Sequence, residues 1–146
     1  MRFTERTDIA VRLLLFLALH KGAKLSVDEI VDRYLGHRSQ VVAAIQDLRR
    51  GGYIGSSPGR SGGVWLVRSA HEITLAEIVR MFETDFHLTR CFKDGVKARC
   101  LIYDVCVFKQ ALERALGSFF AVLEETTIAD LIEDEGRMLQ VMEMGR

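Results

Sequence analysis

The sequence is poor in several things that would have given an easy answer. It holds only three cysteines among 146 residues. An odd count with no secretion signal argues against a disulfide framework. No uninterrupted apolar stretch approaches the roughly 20 residues needed to span a bilayer. The longest candidate, Leu13 to Leu19, is short and flanked by Arg12 and His20. The N-terminus has one early Arg, then Glu5 and Asp8, and no small-residue cleavage site. The expectation is a cytoplasmic protein. No nucleophile–base pair, paired-carboxylate constellation or phosphate-cradling motif stands out, so an enzyme is not expected. The one glycine-rich loop does not open a helix, which argues against a P-loop or dinucleotide site. There is no internal repeat and no low-complexity segment.

Net charge is also missing, and its absence conceals an asymmetry. Lys and Arg total 20 and Asp and Glu total 20. Residues 1–70 hold 11 basic against 6 acidic side chains, and residues 71–146 hold 9 against 14. A basic front and an acidic rear point to a polyanion meeting the front half. With 49% hydrophobic residues the chain can build a real core.

The front half reads as short helices and a hairpin. Ile9, Leu13, Phe16, Leu17 and His20 form one helical stripe over residues 4–20, and Lys21-Gly22 ends it. Ser26-Val-Asp-Glu29 has the capping-box form and opens a second helix to about Leu35. Gly36 sits in a short turn. A third helix runs from about Arg38 or Ser39 to Arg50, with Val41, Val42, Ile45 and Leu48 inward. Two short helices around a tight turn make a helix-turn-helix. Tyr53-Ile54, a loop from Gly55 to Gly63, and Val64–Val67 then read as a hairpin, hence a wing.

A recognition helix presents its first turn to base edges in the major groove. Here that turn offers His37, Arg38, Ser39 and Gln40. Arg49 and Arg50, at the far end, suit phosphates or solvent. Arg60, Ser61 and Gly62 at the wing tip let the backbone approach a phosphate. Any one of these alone is more simply a solvated residue; the set within this architecture favours double-stranded DNA. The other use of a winged helix is protein–protein interaction.

Thr74-Leu-Ala-Glu77 repeats the capping box and opens a helix to about Glu83. Residues 84–103 lack periodicity. A long helix follows from near Asp104 or Val105 to about Glu125, with Val105, Phe108, Leu112, Ala115, Leu116, Phe119, Phe120 and Leu123 as its apolar side. Some 20 residues of helix extend about 30 Å, more stripe than one small domain covers, so a partner subunit is expected. A short helix over 128–135 and a polar tail finish the chain. The fold class is thus mainly α with a small β-hairpin wing. The expected divisions are a winged helix-turn-helix over 1–83, a cysteine-containing loop over 84–103, and a dimerisation helix with tail over 104–146.

Cys91, Cys100 and Cys106 are the only cysteines and fall within 16 residues of each other. Their surroundings are charged (Lys93, Asp94, Lys97, Arg99), which packing in a core explains poorly. Three thiolates suit zinc or an iron–sulfur cluster. The two-residue knuckle common at zinc is absent, and gaps of eight and five residues favour the larger inorganic core. Zinc and a thiol redox switch remain the other readings. Local candidates for a fourth ligand are His87, Asp94 and Asp104; His20, His37 and His71 read as ordinary residues. Asp8 reads as an exposed acid favourable to its helix dipole.

Together these pieces resemble one known family, the Rrf-two family of winged-helix regulators, over nearly the whole chain. The resemblance rests on Met1-Arg-Phe-Thr4, Thr7-Asp8-Ile-Ala-Val-Arg12, Leu48-Arg-Arg-Gly-Gly-Tyr53-Ile54 and Gly59-Arg-Ser-Gly-Gly-Val64-Trp-Leu66. It continues in Glu72-Ile-Thr-Leu-Ala-Glu-Ile-Val79, Lys109-Gln-Ala-Leu112 and Thr127-Ile-Ala-Asp-Leu131. It implies a homodimeric repressor that senses nitric oxide through a cluster, 4Fe–4S rather than 2Fe–2S, bound by Cys91, Cys100 and Cys106. It also implies that Asp8 supplies the fourth ligand to the other subunit's cluster, and that the dimer binds a pseudo-palindromic operator. Departures from the family pattern are Leu35-Gly36-His37 before the recognition helix, Ala43 within it, and Pro58 in the wing. The long Cys91–Cys100 gap also resembles an iron-responsive branch of the family.

Overall fold

The structure is a computed structural model and describes residues 2–34, 37–59, 61–93, 95, 100–132, 134, 136–138 and 140. Gly36, Arg60 and Asp94, singled out in the sequence, lie outside the described residues, as do Leu35, Lys97 and Arg99.

The core is built around the first helix, α1 (Glu5–Leu19), which is apolar on more than one side. Ile9, Ala10, Leu13, Leu14, Phe16 and Leu17 are all essentially inaccessible. Each such large side chain contributes about 1.5–3 kcal/mol on burial. The helix stops where the sequence says it should, with Lys21 at φ 42° and Gly22 at φ 84°. In α2 (Val27–Tyr34) the capping box forms: Glu29 N–H donates to Ser26 Oγ at 3.2 Å, and Ser26 N–H to Glu29 Oε2 at 2.7 Å. The third helix, α3 (Arg38–Arg50), buries Val41, Ala44, Ile45 and Leu48 against α1 and α2.

The wing is a two-stranded antiparallel hairpin, β1 (Ile54–Ser57) and β2 (Gly63–Leu66), in the register Ile54↔Leu66 to Ser57↔Gly63. The first strand is longer than the sequence reading, which gave Gly55 onward to the loop. Gly55 pairs with Trp65, and the Trp65 ring occupies the space a side chain would need at Gly55, so the backbone stays paired. Leu25 adds a bridge to Val64, which anchors the wing beside the start of α2.

Next, α4 (Leu75–Phe82) carries the second capping box, between Thr74 and Glu77. The long helix α5 (Val107–Glu125) begins later than expected, because Cys106 is its N-cap and residues 101–105 are turns. None of its residues is fully buried. The chain then returns to the front half. Thr127 bridges Thr74, and the Ile128 N–H donates to the Ile73 carbonyl at 2.9 Å. Ile128 is completely buried in the core. The short helix expected from residue 128 is therefore displaced. Ile128 and Ala129 lie in a turn, Asp130 accepts from the Thr127 N–H at 2.7 Å, and Asp130–Ile132 forms a 3-10 turn.

Candidate nucleic-acid interface and cysteine segment

The first turn of α3 is held by the residues around it. His37 is the N-cap and is exposed, as are Arg38 and Ser39. Arg38 pairs with Asp28 of α2, so its guanidinium is held at the junction of the two helices. Gln40 is half-buried and turned toward α1. Its Nε2 donates to Glu5 Oε2 at 2.8 Å, and its Oε1 is buried with no hydrogen-bond partner among the described residues. At the far end Arg49 and Arg50 are exposed, and Arg50 pairs with Asp47. In the wing, Ser61 is exposed, and Gly62 has no room for a side chain. A Cβ there would lie 2.3 Å from the Ser57 carbonyl oxygen and 2.6 Å from that of Pro58.

Asp47 is one of two buried polar residues among those described, at 7% exposure. Burial opposes its ionisation, but the guanidinium groups of Arg6 and Arg50 outweigh that and hold its pKa below the usual carboxylate range. Arg6 lies in the first turn of α1, so this ion pair ties α1 to the recognition helix. The other buried polar residue, Thr7, is also in that turn. Its hydroxyl donates to Glu83 Oε1. The same oxygen accepts from the Thr4 N–H at 2.6 Å and the Thr4 hydroxyl at 3.0 Å. Glu83 closes α4 and leads directly into the cysteine segment. Partial burial raises its pKa, yet the hydrogen bonds from Thr7 and Thr4 prevail and lower it overall. The α1 first turn is thus held on one side by the recognition helix and on the other by the residue that opens the segment carrying the cysteines.

Asp8 sits one turn into α1, exposed, with its carboxylate 2.9 Å from Arg12. It lines a cleft of about 680 Å³ with Phe3, Val11, Val79, Leu123 and Leu131 among its walls.

The three cysteines are free and half-buried. The Cys91 sulfur lies 2.7 Å from the Thr89 hydroxyl. The Cys106 sulfur accepts from the Lys109 N–H at 3.4 Å, which places it at the positive end of α5, where negative charge is favoured. Among the described residues, no group of three or more His, Cys, Asp or Glu side chains is gathered closely enough to hold a metal ion. The three thiols are brought into one segment but not onto one point. Of the local fourth-ligand candidates, His87 pairs with Asp85 at 2.7 Å, and Asp104 is exposed. The donor chemistry fits a thiolate-held iron–sulfur group: three free thiols outside the core, one at a helix N-terminus.

Sequence reasoning passed over Asp47, Thr7 and Glu83. Asp47 carried a signal: it stands three residues beyond Ala44, at the edge of the apolar face of α3. Glu83 and Thr7 carried none, because they meet only across 76 residues of chain.

A helix-turn-helix with a hairpin wing, a long appended helix and a cysteine segment between them define a winged-helix transcriptional regulator rather than an enzyme. The chain belongs to the Rrf2 (Rrf-two) family, whose pattern, described as an iron-dependent transcriptional regulator, matches residues 3–134. It is 33% identical over 145 residues to the HTH-type transcriptional regulator NsrR of Bacillus subtilis, covering 99% of each chain. It is 40% identical over 134 residues to Protein aau3 of Rhizobium meliloti, covering 91% of this chain and 86% of that one. Among solved structures it is similar to T. potens IscR, with a TM-score of 0.71 and 24% identity, over 92% of this chain and 88% of that one. No helix among the described residues is long and apolar enough to cross a membrane.

Proposed function

We propose that this protein is a homodimeric, cytoplasmic repressor that binds a pseudo-palindromic operator in double-stranded DNA and is released by nitric oxide. In this reading an iron–sulfur cluster is held by Cys91, Cys100 and Cys106, with Asp8 of the partner subunit as the fourth ligand. The resemblance favours 4Fe–4S. When bound, the cluster supplies iron that reacts with nitric oxide.

The observation that carries the reading is the double tether of the α1 first turn. Glu5 and Arg6 hold the recognition helix through Gln40 and Asp47, while Thr4 and Thr7 hold Glu83 at the head of the cysteine segment. Asp8 lies in this same stretch. A ligand bond from Asp8 to the partner's cluster would fix this turn; Asp8 itself pairs with Arg12. A shift in the turn then reaches α3 through two polar contacts. His37, Arg38 and Ser39 would read base edges, with Arg49 and the wing residues Arg60, Ser61 and Gly62 at phosphates. Gln40 must release Glu5 to join them.

The dimer is supported by α5. Phe108, Ala111, Ala115, Ser118 and Val122 follow a three–four spacing and are all exposed, although most are apolar. Such a seam suits a second helix, and its small central residues allow close approach. A two-fold dimer sets its recognition helices about one DNA turn apart, which is why a pseudo-palindrome is expected.

A second reading keeps the site and changes the signal to iron supply. The eight-residue gap between Cys91 and Cys100 favours it.

Purification without oxygen tests the proposal. The protein should be brown, and stepwise nitric oxide should bleach it while DNA is released. Release by an iron chelator but not by nitric oxide would favour the second reading. A colourless protein that still binds DNA would refute both and leave zinc or thiol chemistry.

A further inference from the structure

The wing has a third, short edge. Leu25 and Val64 exchange both backbone hydrogen bonds, at 3.0 and 2.8 Å. Gly63 permits this approach: its φ is 153°, and a Cβ there would lie 2.9 Å from the Leu25 carbonyl oxygen. In an antiparallel ladder the residues next to such a pair face each other with their side chains close, so Lys24 falls opposite Trp65. Trp65 in turn pairs with Gly55. Leu25, Val64 and Ile54 are buried in the core, so by alternation Lys24, Trp65 and Gly55 form one row across the outer face. The indole covers Gly55, and the Lys24 ammonium lies 4.8 Å from the ring centre.

Four other cations rest on aromatic rings among the described residues: Arg6, Arg68, Arg80 and Lys109. Each of those also pairs with a carboxylate. Lys24 is exposed and pairs with none among the described residues. The two acids that follow it in α2 are already engaged, Asp28 by Arg38 and Glu29 by Ser26. Tryptophan is the ring that holds a cation best. A cation placed by that ring and left without a counter-charge suits an anion from outside the chain.

We propose that Lys24 is a further DNA contact: Trp65 holds its ammonium on the outer face of the wing, where it takes a backbone phosphate. The row lies two residues short of the last strand pair, Ser57↔Gly63, about 7 Å along the strand. The tip that would meet phosphates follows directly. A lysine ammonium is a compact charge that binds phosphate without reading bases. The contact therefore strengthens binding to any duplex and leaves the choice of sequence to α3. The inference rests on DNA binding by the winged helix and not on what the cysteines hold.

The test uses the full chain, purified without oxygen, and a labelled duplex of mixed sequence. Affinity is read by fluorescence anisotropy over a range of salt, with melting as a check on folding. Lys24→Gln should bind more weakly, with the slope of log affinity against log salt shallower by about 0.9 for each subunit on the duplex. Lys24→Arg should keep the parent slope. Arg137→Gln removes an exposed charge outside the winged helix and should keep it too. Trp65 is the only tryptophan in the chain, so its emission reads the same row. Adding duplex should change that emission in the parent, and less in Lys24→Gln. An unchanged slope for Lys24→Gln would overturn the proposal and leave a lysine that only packs on a ring. So would an equal change in Arg137→Gln, which makes the effect one of net charge, or Trp65 emission that ignores the duplex. If the parent binds no duplex at any salt, the DNA-binding reading falls and this inference with it. If the parent binds and Lys24→Gln matches it, this inference alone falls.

Discussion

Replacing Glu83 with alanine removes one acceptor that serves three donors. The Thr4 N–H and hydroxyl lie near the surface and can return to water. The Thr7 hydroxyl cannot, because Thr7 is 1% exposed, and the Thr4 hydroxyl at 3.3 Å is left as its weaker partner. Leaving a buried hydroxyl poorly paired costs about 1–3 kcal/mol, and hydrogen bonds to a charged group contribute about 1.5–3 kcal/mol each before allowance for exposure. Since Glu83 is itself half-exposed, a net loss of about 2–3 kcal/mol is expected for Glu83→Ala. For a chain of this size that lowers the melting temperature by roughly 4–10 °C. Glu83→Gln retains an acceptor without the charge and should fall between. Melting followed by circular dichroism at fixed protein concentration checks this, because a dimer's midpoint depends on concentration. Glu83 has a lowered pKa in the folded chain, so its contribution is complete at neutral pH and fades as pH falls through the carboxylate range and below it. The gap between the parent and Glu83→Gln should close on acidification. A Glu83→Ala protein that melts like the parent would refute the tether.

Three further outcomes follow from the same geometry. Asp47→Asn should cost about 1–2 kcal/mol and loosen α1 from α3; its partners Arg6 and Arg50 are exposed and rehydrate, so the larger penalty of a stranded buried charge does not apply. Urea unfolding checks the cost, and a parent-like midpoint contradicts it. Gly62→Ala should distort the wing tip, since the added Cβ meets the Ser57 and Pro58 backbone, and should weaken DNA binding while leaving the fold's melting largely unchanged. Ala115→Glu should convert the dimer to monomer on sedimentation, by placing a charge at the centre of the exposed α5 seam; an unchanged dimer would remove α5 as the interface.

Local chemistry was legible and distant pairing was not. Ser26–Glu29 and Thr74–Glu77 announced two helix starts from four residues each, and both capping boxes form. A glycine-rich loop between two short apolar runs announced the wing, but not that Trp65 would cover Gly55 and lengthen the first strand. The apolar stripe reaches back to Val105 and predicts an α5 start near Asp104 or Val105; Cys106 caps the helix instead, which begins two or three residues later. Gln40 read as a base-reading side chain because its local position is right, and nothing nearby in sequence reveals Glu5. Ile128 looked helical, yet its backbone completes a bridge to the strand-like entry of α4, and its side chain fills the core of the front half. The cysteines were visible at once; that Cys106 caps α5 was not, since it depends on how the turns over 101–105 deliver it to the helix end.

The central claim is that the state of the cysteine site sets the grip on DNA. Operator affinity, measured by fluorescence anisotropy at one salt concentration on a single oxygen-free sample before and after stepwise nitric oxide, tests it most directly. A coupling of about 1–3 kcal/mol predicts a fall of roughly 5- to 150-fold, in step with the loss of visible absorbance. Affinity that stays constant while the colour bleaches would contradict the account.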